Sequence, residues 1–361
     1  MLARIVILAA CLPYLKASPL QTDIQPHFFL LFIGLMAFCT IKDGELPFAA
    51  TTLIITLAMG IAGLILGAGV NTLALLTFPI ATAFFARQNQ TALTQTIKVA
   101  LIFYVFGLAV EIVAPSILDL VVSNQRGSVA RGMTSFTSEP SYLGLIGLAI
   151  VVVLLHLRQS FWWITLSCFL VLASESLTAI APLAVILVLA NLRANRIHYV
   201  VLTVIVLVIL FNGIVQTDTR MGMLLADVSQ DQSLIWNDQS FSNRIARGLA
   251  PIASAFQSGF WPHAFPQSGD INVNFDFLAN GADTTIERLS SIATVLIYVF
   301  GFTSIPLVIG YICIARARLF LIIAVIYFGL TNISISTPYL YLLLSLPLMH
   351  RFSTESADNH S

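Results

Sequence analysis

The sequence predicts an all-α, polytopic membrane fold of about twelve spanning helices, and three observations lead to it. Only 9% of the 361 residues are charged, while 58% are hydrophobic. Mean hydropathy is +0.92. The apolar residues fall into runs separated by short polar breaks, with one long polar stretch near 216–288. A water-soluble domain carries about 25% charged residues to keep its surface wetted. A chain this poor in charge must instead be solvated by lipid. Lys plus Arg (17) equals Asp plus Glu (17), so charge offers no footprint for nucleic acid. Cys11, Cys39, Cys168 and Cys313 all lie in apolar runs without metal-ligand or disulfide spacing, and read as small packing residues.

A helix crossing about 30 Å of hydrocarbon needs about 20 mostly apolar residues. The first run, 3–15, follows the pattern of a signal peptide, with Leu8-Ala9-Ala10-Cys11 resembling a lipoprotein cleavage box. Further spans follow it directly, so it reads as a retained anchor. The next runs lie near 27–41, 47–67, 71–86, 97–120, 141–157, 160–174, 177–191 and 198–215, and the last three near 289–314, 318–332 and 337–350. Domain organisation follows: a bundle over 1–215 with a short outer loop at 123–141, a large outer loop at 216–288, and a closing region of three spans and a short tail over 289–361. Orientation comes from Lys and Arg in short loops. With the N-terminus in the cytoplasm, that face collects Arg4, Lys42, Arg87, Lys98, Arg158, Arg193, Arg196, Arg316, Arg318 and Arg351. The outer short loops hold Lys16, Arg126 and Arg131, and both termini come out cytoplasmic.

Two outer segments carry the candidate chemistry. The first reads Arg126-Gly-Ser-Val-Ala-Arg131-Gly-Met-Thr-Ser-Phe136-Thr-Ser-Glu139-Pro140-Ser141-Tyr142-Leu143-Gly144. Pro140 suits the opening of a helix, which places Glu139 at the positive end of its dipole. The arginines offer planar donor forks matched to phosphate oxygens. Glu139 is either a reactive carboxylate or a structural one that caps the helix and holds Arg131. The second segment, in the long loop, reads Asn243-Arg244-Ile-Ala-Arg247-Gly248 and then Phe256-Gln-Ser-Gly259-Phe-Trp261-Pro-His263. Its aromatics and prolines describe a folded cap at the membrane interface. His263, flanked by Trp261 and Pro262, is an interfacial residue or a catalyst, and Arg220 and Arg288 border spans as headgroup anchors. Two acidic residues fall in apolar surroundings. Glu111 either lines a cavity or pairs with an arginine from another helix, and Glu175 reads as part of a short outer turn.

The Arg-Gly-x-x-x-Phe-x-x-Glu-Pro-Ser-Tyr-Leu-Gly run resembles the Glu-Pro-Ser segment of bacterial O-antigen and exopolysaccharide polymerases of the Wzy type, in the wider family that includes the O-antigen ligases. The likeness extends to the many spans, the large outer loop and a closing Ser336-Thr-Pro338-Tyr-Leu-Tyr run. It implies a GT-C-like membrane fold in a bacterial inner membrane, with the large loop in the periplasm. It also implies a metal-independent glycosyltransferase that transfers undecaprenyl-pyrophosphate-linked oligosaccharide units onto one another, without a cofactor. Glu139, Arg131 and Arg244 take the catalytic roles. Arg126, Arg247, His263, Asp283 and Glu287 become pyrophosphate- or glycan-binding candidates, and Asp283 and Glu287 are lesser candidates for the base. Membrane lipids and a chain-length regulator or export complex are the implied partners. Ligases of the family often carry a His-Asn pair before the next helix. Here Asn280-Gly-Ala-Asp283-Thr-Thr-Ile-Glu287-Arg288 holds no histidine, which favours polymerase over ligase. A flippase or transporter is the alternative from another class, and a scaffold for an export complex is a third. Flippases tend to line a cavity with charges inside their spans, whereas here the charges concentrate outside.

Overall fold

The computed structural model describes residues 2–16, 27–29, 46–69, 71–122, 132–192, 239–266, 270–272, 285–286, 291–314, 318–331 and 336–349, with a few isolated positions between 222 and 231 and at 289. Within them the chain is overwhelmingly helical. The elements are α1 (Leu2–Cys11), α2 (Leu46–Ile65), α3 (Asn71–Ala86), α4 (Gln90–Val113), α5 (Pro115–Val121), α6 (Pro140–His156), α7 (Phe161–Ala173), α8 (Leu177–Asn191), α9 (Gln239–Gln257), α10 (Ile292–Thr294), α11 (Ser304–Ile314), α12 (Leu319–Leu330) and α13 (Pro338–Ser345). The one sheet among the described residues pairs β1 (Ile271–Asn272) with β2 (Thr285–Ile286), antiparallel, Ile271 opposite Ile286. The expected spans at 198–215 and over most of 27–41 lie outside the described residues.

Helix ends follow local chemistry. Asn89 caps α4, its side chain accepting the Thr91 N–H at 2.8 Å. Ala114, ahead of Pro115, leaves the helical region with φ −149° and ends α4, because proline crowds the preceding residue out of the α conformation. The span expected over 97–120 is thus a helix from 90 to 113 followed by a short second one. Pro140 and Pro338 occupy the first turns of α6 and α13, where a missing N–H costs nothing. Threonines inside apolar helices return their hydroxyls to the preceding turn, as from Thr77 to Leu73 O and Thr96 to Ala92 O.

Helix α6 is the axis of the bundle. It is apolar on every side and buried from Leu143 through Leu154, packing on α4, α7, α8, α12 and α13. Gly144 and Gly147 let neighbours approach closely: a Cβ at Gly147 would stand 2.9 Å from a Val171 methyl, and one at Gly144 2.6 Å from Ser174 Oγ. Helix α13 is buried along its whole length against α3, α1 and α6. The periphery is the reverse of a soluble protein's. Ile54, Ile65, Val113 and Trp162 are 67%, 78%, 83% and 78% exposed, and α11 and α12 present Ile309, Ile312, Ile322 and Ile326 outward.

By length and composition, Gln90–Val113 alone among the described helices is long and apolar enough to cross a membrane unaided. Ile292–Val299 and Gly301–Cys313 pass the same test together but are bent by 118°. The region expected as a single span over 289–314 is therefore broken: α10 runs on as a π-helical turn over Val295–Val299, and Gly301–Thr303 forms a 3-10 turn before α11. The other apolar stretches, among them Leu2–Cys11, Thr52–Ile65 and Pro140–His156, run for 10–17 residues.

Candidate functional site at the Glu-Pro-Ser end of the bundle

One end of the bundle gathers Glu111, Glu139 and Glu175 with the buried hydroxyls of Thr134, Ser135, Thr137, Ser138, Ser174 and Ser176. There α4 ends, α6, α8 and α13 begin, and the turn joining α7 to α8 closes over them. The segment from Gly132 to Glu139 lies between these elements, and its folding can be followed residue by residue.

Gly132 starts it with φ +91°, where a Cβ would stand 2.4 Å from Ser174 O and 3.0 Å from Glu175 Cβ. Only glycine fits both that conformation and that approach. The Met133 N–H then donates to Ala173 O at 3.0 Å, fixing the segment to the end of α7. The next two residues are held by Glu111 of α4. Its carboxylate accepts the Thr134 N–H at 2.9 and 3.0 Å to its two oxygens, the Thr134 hydroxyl at 3.0 Å and the Ser135 N–H at 2.7 Å. Ser135 adopts φ 49° and donates its hydroxyl to Tyr104 O at 2.7 Å. Phe136 stacks on Phe103 at 4.3 Å. Gly107 makes room for both, because a Cβ there would lie 2.2 Å from Ser135 Oγ and 2.6 Å from the Phe136 ring. Among the described residues, Glu111 thus meets two backbone amides and a hydroxyl.

Thr137 closes the turn, its N–H donating to Thr134 O at 3.0 Å and its hydroxyl lying 2.8 Å from Glu139 O. Glu139 is the N-cap residue of α6 by position, with φ −143° and ψ 150°, but its carboxylate makes no capping bond. Its backbone oxygen accepts the Tyr142 and Leu143 N–H groups instead, and Ser141 Oγ lies 3.3 Å from Oε2. The carboxylate is half-buried beside the first turn of α6. Glu175 lies in the α7–α8 turn, as expected, with φ 48°.

A buried tyrosine cluster, not anticipated from the sequence, ties this end together. Tyr14, just past α1, stacks on Tyr142 of α6 at 5.0 Å, and Tyr14 and Tyr339 of α13 are neighbours. Tyr104 donates to Cys11 O at 2.6 Å, and the Tyr327 hydroxyl of α12 donates to Thr178 O. The Glu-Pro-Ser-Tyr and Thr-Pro-Tyr-Leu-Tyr runs, far apart in the chain, meet here. A strand-like bridge between Leu15 and Val122 joins the end of α1 to the end of α5.

Helix α9 carries Arg244 and Arg247 one turn apart, which puts them on one helix face. Arg247 is exposed, and the side chain of Arg244 lies outside the described residues. The turn after α9 places Gly259 and Phe260 at φ 73° and 63° and docks on the bend between α10 and α11. There the Phe302 N–H donates to Phe260 O at 2.8 Å, and a Cβ on Gly301 would lie 2.2 Å from that oxygen. His263 lies flat on Tyr298 at 4.6 Å, with Nδ1 3.3 Å from Tyr298 O and its N–H shared between Tyr298 O and Val299 O. This geometry holds the bend. The Phe265 N–H reaches Leu66 O, past the end of α2, at 2.8 Å. Helix α9 packs on α10 and on both strands, and α10 packs on α12, which touches α6 and α8. Arg126, Arg131, Asp283 and Glu287 lie outside the described residues, as do Arg220 and Arg288.

Three of the described basic residues lie away from this end, whereas Lys16 lies at it, its N–H donating to Val121 O at 2.7 Å. Lys98 is thirteen positions from Glu111 on α4, about 20 Å along the axis, with its ammonium 5.0 Å above the Trp163 ring at the start of α7. Arg158 follows the far end of α6, and Arg318 precedes α12. Comparison with protein-family models, with curated proteins and with solved structures gives no match. No group of three or more metal-ligating side chains occurs among the described residues.

Proposed function

We propose that the protein is a polysaccharide polymerase of the bacterial inner membrane, spanning it about twelve times. It would transfer undecaprenyl-pyrophosphate-linked oligosaccharide units onto one another at the periplasmic face. The observation that carries the proposal is the construction around α6. The helix that opens with Glu139-Pro140-Ser141 is the buried axis of the bundle, and the segment leading into it is held by four hydrogen bonds to Glu111. A membrane location is supported by the apolar side chains that α2, α4, α7, α11 and α12 turn outward, since exposed surfaces of that extent need lipid or a partner. The separation of Lys98, Arg158 and Arg318 from the Glu139 end agrees with an outward-facing site under the positive-inside rule.

The chemistry follows from the substrate. Outside the cell no nucleotide activates a sugar, so the driving force resides in the lipid–pyrophosphate bond. As the anomeric carbon–oxygen bond breaks through an oxocarbenium-like state, charge builds on the departing pyrophosphate. Arg131 and Arg244, aided by Arg126 and Arg247, stabilise that charge more in the transition state than in the ground state. Glu139 takes the proton of the acceptor hydroxyl. His263, Asp283 and Glu287 border the glycan path, and the reaction needs no metal ion. A chain-length regulator or an export complex is the expected partner.

Complementation of cells lacking the protein tests the reading. Wild type is compared with Arg131→Ala, Arg244→Ala and Glu139→Gln at matched membrane levels, and surface polysaccharide is resolved by length. Single repeat units and no long chains in the variants support the polymerase. Long chains that never reach their final acceptor indicate the ligase alternative. Lipid-linked units retained on the cytoplasmic face indicate a flippase and overturn the site.

A further inference from the structure

Two polar atoms at this end are shut away from solvent without a hydrogen-bonding partner. Ser138, fully buried in the turn that precedes Glu139, has an unpaired Oγ, and Glu175 has an unpaired, inaccessible Oε2. Their surroundings are otherwise well satisfied. Thr134, Ser135 and Thr137 each place their hydroxyls on an acceptor within 3.0 Å, and Ser174 Oγ donates to Val171 O at 2.7 Å. Leaving a buried polar group unpaired costs about 1–3 kcal/mol, and buried side-chain oxygens in folded proteins are generally paired. Glu175 also keeps a left-handed backbone, φ 48°, in a non-glycine residue, a local strain that clusters at functional sites.

The two residues belong to one assembly. The Gly132–Glu139 segment, which carries Ser138, rests on the turn that carries Glu175, through the Met133–Ala173 hydrogen bond and the close approach of Gly132 to Glu175 Cβ. A carboxylate oxygen demands a donor, and a serine hydroxyl both donates and accepts. A group that pairs with both must therefore carry donors as well as acceptors, as the hydroxyls of a sugar do.

We infer that Ser138 and Glu175 form a subsite that receives the hydroxyl groups of the acceptor sugar, beside the carboxylate of Glu139. This rests on the polymerase reading and adds to it the place where the acceptor is held. Sugar hydroxyls complete the unmet hydrogen bonds when the α7–α8 turn parts from the Gly132–Glu139 segment, and Glu139 takes the proton of the attacking hydroxyl.

The test uses purified full-length protein and, as probe, lipid-linked repeat units extracted from cells that lack the protein. Initial rates are measured for wild type, Ser138→Ala and Glu175→Gln, with thermal stability recorded alongside. Both variants are expected to melt within a few degrees of wild type, since each removes or neutralises an unpaired group. Both should raise KM about tenfold with kcat within about twofold, the signature of lost ground-state and transition-state binding together. An unchanged KM in both variants, whatever happens to kcat, overturns the subsite while leaving the polymerase reading standing. Failure of the wild type to lengthen the probe overturns that reading itself.

Discussion

At the scale of residues, Glu111 is the side chain whose role the chain order conceals. It lies 23 positions before Thr134 in an otherwise apolar helix, where a carboxylate is expensive unless it is paired. Two backbone N–H groups and a hydroxyl supply that pairing and fix the approach to Glu139. Glu111→Ala would leave these donors unmet and is expected to cost about 2–4 kcal/mol of stability. Glycan lengthening should fall by at least tenfold even in the fraction that reaches the membrane, read as chain length per unit of protein on a blot. Gly107→Ala probes the same segment from the other side. Its Cβ would overlap Ser135 Oγ and the Phe136 ring, so a destabilisation of about 1–3 kcal/mol is expected, measured as a drop in the melting midpoint of the purified protein. An unchanged midpoint would mean that the segment does not lie against α4. Arg-Gly followed by Glu-Pro-Ser was readable as a motif because its residues are adjacent. Glu111 and Tyr14 were not, because only packing brings α1 and α4 to the start of α6.

At the scale of elements, hydropathy located most of the helices but not their breaks. The apolar run over 289–314 carries no charged residue to mark a bend, yet the chain turns through 118° there. Gly301, at φ +52°, sits under Phe260 O where no other residue fits. The signal was Gly301 with Thr303, Ser304 and Pro306 close behind it, meaningful only once the turn after α9 is seen to dock on that glycine. Ala114 and Pro115, by contrast, marked the end of α4 in a way that a proline rule could read. Gly301→Ala is expected to destabilise the docking of the α9 turn by roughly 3 kcal/mol. The check is limited proteolysis, which should cut near 258–266 in the variant and spare the wild type. His263→Ala removes a stacked ring and a hydrogen bond to Tyr298 O, and about 1–2 kcal/mol should be lost. If His263 instead acts on the glycan, kcat will collapse in a variant whose proteolysis pattern is that of wild type.

At the scale of the molecule, the described helices form a bundle with a polar end around the start of α6, with Lys98, Arg158 and Arg318 away from it, and an apolar periphery. Composition alone anticipated the helical class and an apolar periphery, because both depend on averages over many residues. It could not anticipate that the two tyrosine-bearing runs, Pro140-Ser-Tyr142 and Pro338-Tyr339-Leu-Tyr341, would open neighbouring buried helices at a shared end. A single cysteine introduced at Ser141 should react with a membrane-impermeant maleimide added outside intact spheroplasts, while one at Gln159 should react only after lysis; the reverse pattern would invert the orientation. The central claim is that this end lengthens lipid-linked glycans, and it is tested most directly by reconstitution. Purified protein is mixed with lipid-linked repeat units in the presence of EDTA, and both glycan length and released undecaprenyl pyrophosphate are followed. The account predicts chains that lengthen step by step, one undecaprenyl pyrophosphate released per unit added, and the loss of both in Glu139→Gln. Units that stay single with wild type, or lengthening that stops when EDTA is added, would contradict it.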